Sequence, residues 1–243
     1  QTLEARGVQG TLRQGGHIDW LRWSSPALQV EVQGADIGWS LRPLLSRTVH
    51  FGQVQIQRLR IHSTPTPDDD TPLQPLESLV LPVRIDLPLQ VEQLLWEGPP
   101  AITISALNAH YRYTGGQHAL DIRSLEYAQG QYTATAHLQA AAPMQLEVSL
   151  QGLLHTSLPQ SPERSIAIQT NASVQGTLAT QAARLQLQAQ ALVPQEGQSA
   201  TPPGTPRPDA PASAQVMAVI APWQPPWLEQ AQVGGKPWDK TAP

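Results

Sequence analysis

The spacing of apolar residues between Val49 and Tyr127 constrains the fold more than any other feature of this chain. Each copy of the spacing has two apolar residues in alternation, one extra step, and then two more. Alternation is typical of a β-strand with one dry face and one wet face. The extra step shifts the phase of the alternation, so we predict a bulge or kink at that point. The three copies are Val54-x-Ile56-x-x-Leu59-x-Ile61, Ile102-x-Ile104-x-x-Leu107-x-Ala109 and Leu120-x-Ile122-x-x-Leu125-x-Tyr127.

Strands of the same one-sided kind precede and follow these copies. Residues 7–25 predict a hairpin with its turn at Gly15-Gly16, and residues 28–39 predict a strand interrupted at Gly34. We therefore predict an all-β fold, in which an elongated, curled antiparallel sheet forms an open groove. The later alternating segments are 130–140, 144–152, 166–178 and 184–193.

Proline-containing segments are the exceptions to this rhythm. Residues 40–47 predict one short helix, with Ser40 as its N-cap and Pro43 in its first turn. Pro82 and Pro88 remove backbone donors, so we predict that the segment around them is an edge or crossing piece. Residues 194–213 are rich in Pro, Gly, Ser, Thr and Gln and predict a disordered linker. The predicted division is a β-groove segment (1–193), this linker, and a short strand with an irregular tail (214–243).

Composition argues against several classes of function. The chain has no Cys, 14% charged residues and a net charge of −4, so it offers no disulfide framework, thiolate metal site or basic patch for nucleic acid. No apolar run reaches about 18 residues, and no membrane-spanning helix is predicted. Gly-x-Ser-x-Gly, phosphate-binding loops and HExxH are absent. We expect neither an enzyme nor a cofactor.

Three groups of polar or aromatic residues are candidates for binding sites. The seven His residues lack metal-binding spacing, although His110 and His118 flank a predicted hairpin turn. The acidic run at 68–70 lacks the alternating ligands of a calcium loop and predicts a solvated loop tip. We predict no metal site. The early tryptophans either fill space at strand ends or form a carbohydrate-stacking platform; they are Trp20, Trp23 and Trp39.

The apolar face of the strands is the main candidate for a functional surface. A second sheet packed on it would make a closed β-sandwich, whereas an open face would accept lipid chains. Phe occurs once, aromatic residues make up 5% of the chain, and apolar positions such as Ala134 and Ala136 are small. We predict an open lipid groove and keep a closed sandwich, acting as a scaffold or interaction module, as the alternative. The predicted groove residues are Leu28, Val30, Val32, Val54, Ile56, Ile102, Ile104, Leu120, Ile122, Leu146, Val148 and Leu150.

The succession of motifs over residues 7–193 resembles the TamB-like family of the AsmA-like, bridge-like lipid transfer group. A strand that ends in Trp39 is followed by Arg42-Pro43-Leu44-Leu45 and then by the strand at 54–61. A loop rich in Pro and acidic residues precedes Leu81-Pro82-Val83-Arg84-Ile85-Asp86, which resembles the "LPLxIxLxxLxV" segment of the family. Pro88 departs from that pattern.

This resemblance implies an interior segment of a protein that is anchored in the inner membrane of a Gram-negative bacterium and crosses the periplasm. It implies that a hydrophobic β-groove carries phospholipids between the inner and outer membranes, with their acyl chains as ligands. It also implies a role in outer-membrane biogenesis and protein secretion, as part of a translocation and assembly module with an outer-membrane barrel partner. Membrane contact is expected through parts of the protein outside this chain.

Overall fold

The computed structural model describes residues 2–11, 15–25, 28–40, 48–63, 75–98, 100–158, 161–193, 213–223 and 228–235. Their regular secondary structure is entirely β-strand, which confirms the predicted all-β class. The predicted helix at 40–47 lies outside these ranges except for Ser40, which ends the third strand. The strands are β1 Thr2–Thr11, β2 Gly15–Ser24, β3 Leu28–Ser40, β4 Thr48–Ser63, β5 Arg84–Glu97, β6 Ile102–Tyr113, β7 Gln117–Tyr127, β8 Gly130–Gln139, β9 Gln145–Leu158, β10 Ser161–Thr177, β11 Leu185–Leu192, β12 Ser213–Ile220 and β13 Leu228–Gly235.

The thirteen strands form one sheet whose spatial order follows the sequence from β1 to β13. Neighbouring strands are antiparallel except β4 and β5, which are parallel, so the predicted antiparallel sheet is correct apart from this pair. Strands pack against their neighbours in the sheet, and β1 and β13 come first and last in its strand order. Within the described ranges no second layer covers either face. The sheet is therefore open, as predicted.

The second half of the proline-containing segment is a central strand, and the prediction of an edge for it was wrong. Pro88 lies inside β5, which pairs with β4 on one side and β6 on the other. Proline has no N–H to donate to a ladder. Opposite it, the three residues between His50 and Val54 of β4 face the two residues between Asp86 and Leu89 of β5. This bulge in β4 accommodates the missing donor.

The two ends of the chain also differ from the predictions. Gly15 and Gly16 belong to β2, so the prediction of a turn at these two residues was wrong. The sequence pattern did not reveal β13. Both β12 and β13 extend the same sheet from β11, beyond the predicted linker.

One group of buried residues lies where β6 and β8 end and β7 and β9 begin, which we call the capped end. Residues 75–83 cross this end, as predicted for a crossing piece. The N–H of Leu79 donates to the carbonyl oxygen of Ala140 (2.7 Å), and the N–H of Leu81 donates to the hydroxyl of Tyr113 (3.2 Å). Tyr113, Ala140 and Met144 are at most 1% exposed. The crossing segment and the adjacent turns thus form a closed packing at this end of the sheet.

Candidate functional site

An unbroken row of apolar residues crosses the sheet from β3 to β13. Directly paired residues on neighbouring strands lie on the same face. Because strands are about 4.8 Å apart, the row is about 48 Å long. It continues through Gly16 and Gly10 to the β1 edge. Its members are Ile37, Val54, Leu89, Ala109, Ile122, Ala134, Leu150, Ala172, Ala189, Val216 and Val233.

Shorter apolar rows lie parallel to this one and widen it into a face. Towards the capped end the pairing follows Leu87, Tyr111, Leu120, Ala136, Val148, Val174, Leu187 and Ala218. Towards the opposite end it follows Val32, Leu59, Leu94 and Ile104, and then Val30, Ile61, Trp96 and Ile102.

This face is only partly shielded from water. In β8, Ala134 and Ala136 are half-buried while Thr133 and Thr135 are exposed. A second layer would bring these alanines close to full burial. The structure therefore presents a continuous apolar surface that its own described residues do not cover.

The predicted kinks are present, and each keeps the apolar residues on one face. In β4, Ile56 and Leu59 are half-buried while Gln57 and Arg58 between them are exposed. Residues three positions apart would lie on opposite faces of a regular strand, so the phase shifts between them. Gln57 has no partner in either neighbouring ladder. The corresponding positions are Ala106, which has a φ of 51°, and the register shift between Ile122 and Leu125.

The same eight-residue spacing, which we call the octet, occurs in all seven strands from β1 to β7. From the sequence it was predicted only in β4, β6 and β7. In β1 to β3, Gly or Ala occupies some apolar positions, and this concealed the octet. The octet reads the same in both directions, so it fits the parallel β4–β5 pair as well as antiparallel pairs. The four further octets are 3–10, 16–23, 30–37 and 89–96.

The unpaired residues of these octets align across the sheet in a line that we call the crease. Pairing omits Gly7 and Asp19 between β1 and β2, Asp19 and Gly34 between β2 and β3, and Gly34 and Gln57 between β3 and β4. Gly7 and Gly34 have φ of 62° and 60°, a conformation that favours glycine. The crease ends at β7, because β8 alternates without interruption.

The twelve predicted groove residues share the apolar face. Each of them except Leu28 is paired with at least one apolar residue or alanine, while Leu28 is paired with Ser63 and lies two positions from Val30. Their role as a lipid-binding wall stays a prediction. Other members of the face were not among the twelve predicted groove residues, although alternation marks most of them; they include Leu87, Leu89, Val91, Trp96 and Ala172.

The opposite face carries the charged groups, chiefly on β2 to β6. His17 Nδ1 lies 2.7 Å from Asp36 Oδ1, and this hydrogen bond raises the pKa of His17 despite partial desolvation. Glu31 is 7% exposed. A hydrogen bond from Gln33 and contacts with Arg22 (3.0 Å) outweigh desolvation and lower the pKa of Glu31. These pairs bind neighbouring strands together on the side away from the apolar rows.

Asp86 joins β4, β5 and β6 on the polar face. Its Oδ2 lies 3.0 Å from His50 Nδ1, and its Oδ1 contacts His110 Nε2. Desolvation acts to raise the pKa of Asp86, but the hydrogen bonds and charges of the two histidines outweigh it and lower the pKa. No group of three or more His, Asp or Glu in the described ranges is placed to hold a metal ion.

His110 and His118 flank the turn between β6 and β7, as predicted, but they lie on different faces of the sheet. His118 lies at the capped end of the apolar face, 7% exposed and stacked on Tyr113 with 4.5 Å between ring centroids. Its Nε2 is 2.7 Å from the carbonyl oxygen of Leu79, and its Nδ1 is 2.7 Å from the Tyr111 hydroxyl. The Nε2–H therefore donates to Leu79, and the Tyr111 hydroxyl donates to Nδ1. His118 thereby ties the crossing segment to the sheet.

Comparison with known proteins identifies no relative. The chain matches no protein-family model, no curated protein and no solved structure. No helix among the described residues is long and apolar enough to span a membrane. The resemblance to the TamB-like family thus depends on the sequence motifs alone, and the open apolar face is the feature from which a function can be argued.

Proposed function

We propose that this chain is a segment of an envelope-spanning protein whose open β-groove conducts phospholipids between the inner and outer membranes. Acyl chains would lie on the apolar face, and the head groups would remain in water at the open side of the groove. A supporting role in outer-membrane protein assembly, with an outer-membrane barrel partner, belongs to the same proposal and derives from the family resemblance. The chain itself would act without a catalytic residue or a cofactor, in the periplasm.

The unbroken apolar row from Ile37 to Val233 carries this proposal. A closed core would place its apolar residues in a compact cluster, whereas this row has an apolar residue on each of eleven neighbouring strands. Each acyl methylene shielded from water contributes roughly 0.8 kcal/mol, so ten shielded methylenes contribute roughly 8 kcal/mol. A lipid could move along such a row because every strand contributes an apolar residue to it, although the exposure of these residues ranges from 4% at Ala109 to 80% at Val233.

Small side chains in the row leave space for a guest. Ala134, Ala172 and Ala189 are half-buried and adjoin larger residues such as Leu150 along the row. No described residue from a second layer packs over these alanines, as a residue of the opposite sheet would in a sandwich. The alternative of a closed sandwich requires a second layer, which the described part of the chain does not form.

The experiment compares charged substitutions on the two faces of the same strands. Ala134→Arg and Ile56→Arg place a charge in the apolar rows, and Thr135→Arg and Gln55→Arg place the same charge on the polar face next to them. The protein is produced in the periplasm of a Gram-negative host, and bound phospholipid per mole of protein is measured by mass spectrometry. We expect at least a tenfold loss of phospholipid for the two apolar-face variants and no change for the two controls.

Two results would contradict the proposal. One is wild-type protein that carries no phospholipid under conditions in which it remains folded by circular dichroism. The other is an equal loss, or no loss, in all four variants, because lipid would then not be held by the apolar rows. A photo-crosslinking residue at Leu150 gives an independent reading, since it should label acyl chains whereas the same residue at Ser149 should not.

A further inference from the structure

We propose that phospholipids lie in the groove in one orientation, with their acyl termini at the capped end and their head groups at the opposite end of the strands. This opposite end, which we call the uncapped end, is where β5 and β7 end and β6 and β8 begin. Both ends are formed by the tips of interior strands of the sheet. The orientation presupposes the proposed lipid function and adds a direction to it.

Buried residues extend along the capped end beyond the crossing segment, from β6 to β12. Ala183 and Leu185, at the start of β11, and Ala221, directly after β12, are buried. The indole N–H of Trp223 donates to the carbonyl oxygen of Leu178 (2.7 Å) and so joins the segment after β12 to the segment after β10. The capped end is therefore shielded from water at several neighbouring strands.

The crossing segment lies over the apolar face at the capped end. The side chains of Tyr113 and His118, which belong to the apolar face, contact its backbone at Leu81 and Leu79. A charged head group beneath this segment would lose its hydration, and burying a charge without a partner is costly. The groove can therefore accept a hydrocarbon terminus here but not a phosphate or an ammonium group.

The uncapped end has the opposite character. Its last apolar row contains Trp96, which is 36% exposed, and Tyr127, at the end of β7, is also exposed. Tryptophan and tyrosine suit a boundary between apolar surroundings and water. The next residue of β5, Glu97, has an exposed carboxylate that lies 3.0 Å from Arg60 Nε and 3.6 Å from His62 Nδ1. No described segment crosses the apolar face at this end, so a head group would stay hydrated here.

The length of the strands between the two ends fits one acyl chain. In β8, Leu138 at the capped end and Tyr132 at the uncapped end lie six positions apart, a distance of about 20 Å. The acyl chains of one leaflet span about 15 Å, half of the roughly 30 Å hydrocarbon core of a bilayer. A chain whose terminus lies at Leu138 would therefore place its head group near Tyr132, whose hydroxyl lies beside Gly130 at the start of β8. The reverse orientation would place the head group under the crossing segment.

Two photoreactive phosphatidylethanolamine probes test the orientation. One carries a diazirine at an acyl terminus, and the other carries it in the head group. Each probe is incubated in vesicles with the full chain and irradiated, and the labelled residues are identified by mass spectrometry. We expect the acyl-terminal probe to label Leu138 and Leu146 at least fivefold more than Tyr132 and Trp96. The head-group probe should show the reverse preference.

A matched pair of charge reversals tests the orientation without a probe. Glu97→Lys changes the charge at the uncapped end, and Glu77→Lys makes the same change at an exposed position of the crossing segment. Anionic phosphatidylglycerol and zwitterionic phosphatidylethanolamine compete in equimolar vesicles, and bound lipid is measured by mass spectrometry. We expect Glu97→Lys to raise the bound ratio of phosphatidylglycerol to phosphatidylethanolamine at least threefold, because the new ammonium attracts the anionic head group. Glu77→Lys should leave the ratio unchanged, and circular dichroism is used to check that both variants are folded.

Labelling of both ends to the same extent by each probe, or the reverse pattern, would overturn the orientation. An equal effect of the two charge reversals on the lipid ratio, including no effect of either, would also overturn it. The absence of labelling by both probes, together with the absence of bound phospholipid, would instead overturn the lipid function itself. Failure of the orientation is thereby distinguished from failure of the proposed function.

Discussion

The two halves of the sheet keep one apolar face in different ways. From β1 to β7 each strand carries the octet, and the alternation changes phase at the crease. From β8 to β12 the alternation is regular: in β9, Leu146, Val148 and Leu150 are half-buried and the residues between them are exposed. Ile122 of β7 and Ala134 of β8 join the two halves in one row. A continuous apolar surface therefore does not require uniform strands, provided that neighbouring strands change phase together.

The two halves also differ on their polar faces. The creased half carries the ion pairs that link His17 to Asp36 and Arg22 to Glu31. The polar face of the regular half is mainly Gln, Thr and Ser, with a hydrogen bond of 2.7 Å between the hydroxyls of Thr135 and Ser149. Charged contacts thus occur in the half of the sheet in which the crease interrupts backbone pairing. We expect the creased half to respond to backbone changes and pH, and the regular half to respond less.

The largest effect is expected from removing one residue of the crease. Deleting Gln57 would make β4 alternate continuously and turn Leu59 and Ile61 to the polar face, or else force β4 out of register. We expect a loss of more than about 3 kcal/mol in the free energy of unfolding, measured by urea denaturation. Gln57→Ala, which keeps the residue count, should cost under about 1 kcal/mol. Equal stability of the two variants would mean that the crease does not set the phase.

A smaller effect is expected at the left-handed glycine of β3. Gly34→Ala forces a Cβ into a backbone with φ of 60°, which costs about 1–2 kcal/mol. Gly116→Ala is the matched control, because Gly116 has open space around it and is not among the residues with positive φ. Thermal unfolding should separate the two variants, and a Gly34→Ala protein as stable as the control would contradict the role assigned to Gly34.

A gain in stability is expected at Ala106, the crease residue of β6. Its φ of 51° is unfavourable for an L-residue with a side chain. Ala106→Gly should relieve this strain and raise the free energy of unfolding by about 0.5–1 kcal/mol. Ala134→Gly, in the regular half, should instead lower it, because the strand loses apolar contact and gains unfolded-state entropy. The two variants therefore test the difference between the halves, because their changes in the free energy of unfolding should have opposite signs.

The smallest effect is the dependence of stability on pH, and its sign differs between two groups of the creased half. The pKa of Asp86 is lowered in the folded state, so its contribution is present above the unfolded-state pKa and is lost as the pH falls through the folded value, below about pH 4. The pKa of His17 is raised, so its contribution is present below about pH 6.5 and is lost as the pH rises through the folded value. Asp86→Asn should reduce the loss of stability below about pH 4. His17→Gln should reduce the loss of stability above about pH 6.5. Denaturation midpoints across pH 3–9 would measure both, and limbs unchanged by these substitutions would contradict the assigned contacts.

Local pattern was sufficient to predict the class and the main surface. Alternation predicted the strands, and the extra step predicted the kinks in β4, β6 and β7. The strand direction of β5 was not predictable, because the octet is palindromic and the crossing connection determines which way the strand runs. The prediction of an edge at Pro88 was wrong for a related reason. A bulge in β4 compensates for the missing N–H of Pro88, and the sequence of β5 alone gives no sign of a bulge in β4. The octets of β1 to β3 were hidden because Gly10, Gly16 and Ala35 replace large apolar residues.

The strict agreement between strand order and sequence order has a consequence for how this chain acquires its structure. Most contacts join strands that are adjacent along the polypeptide, so few long loops have to close before native contacts form. Stability is then close to a sum over adjacent pairs, as in repeat proteins. Each strand can pair with the one before it as the chain is synthesised, without waiting for the end of the chain.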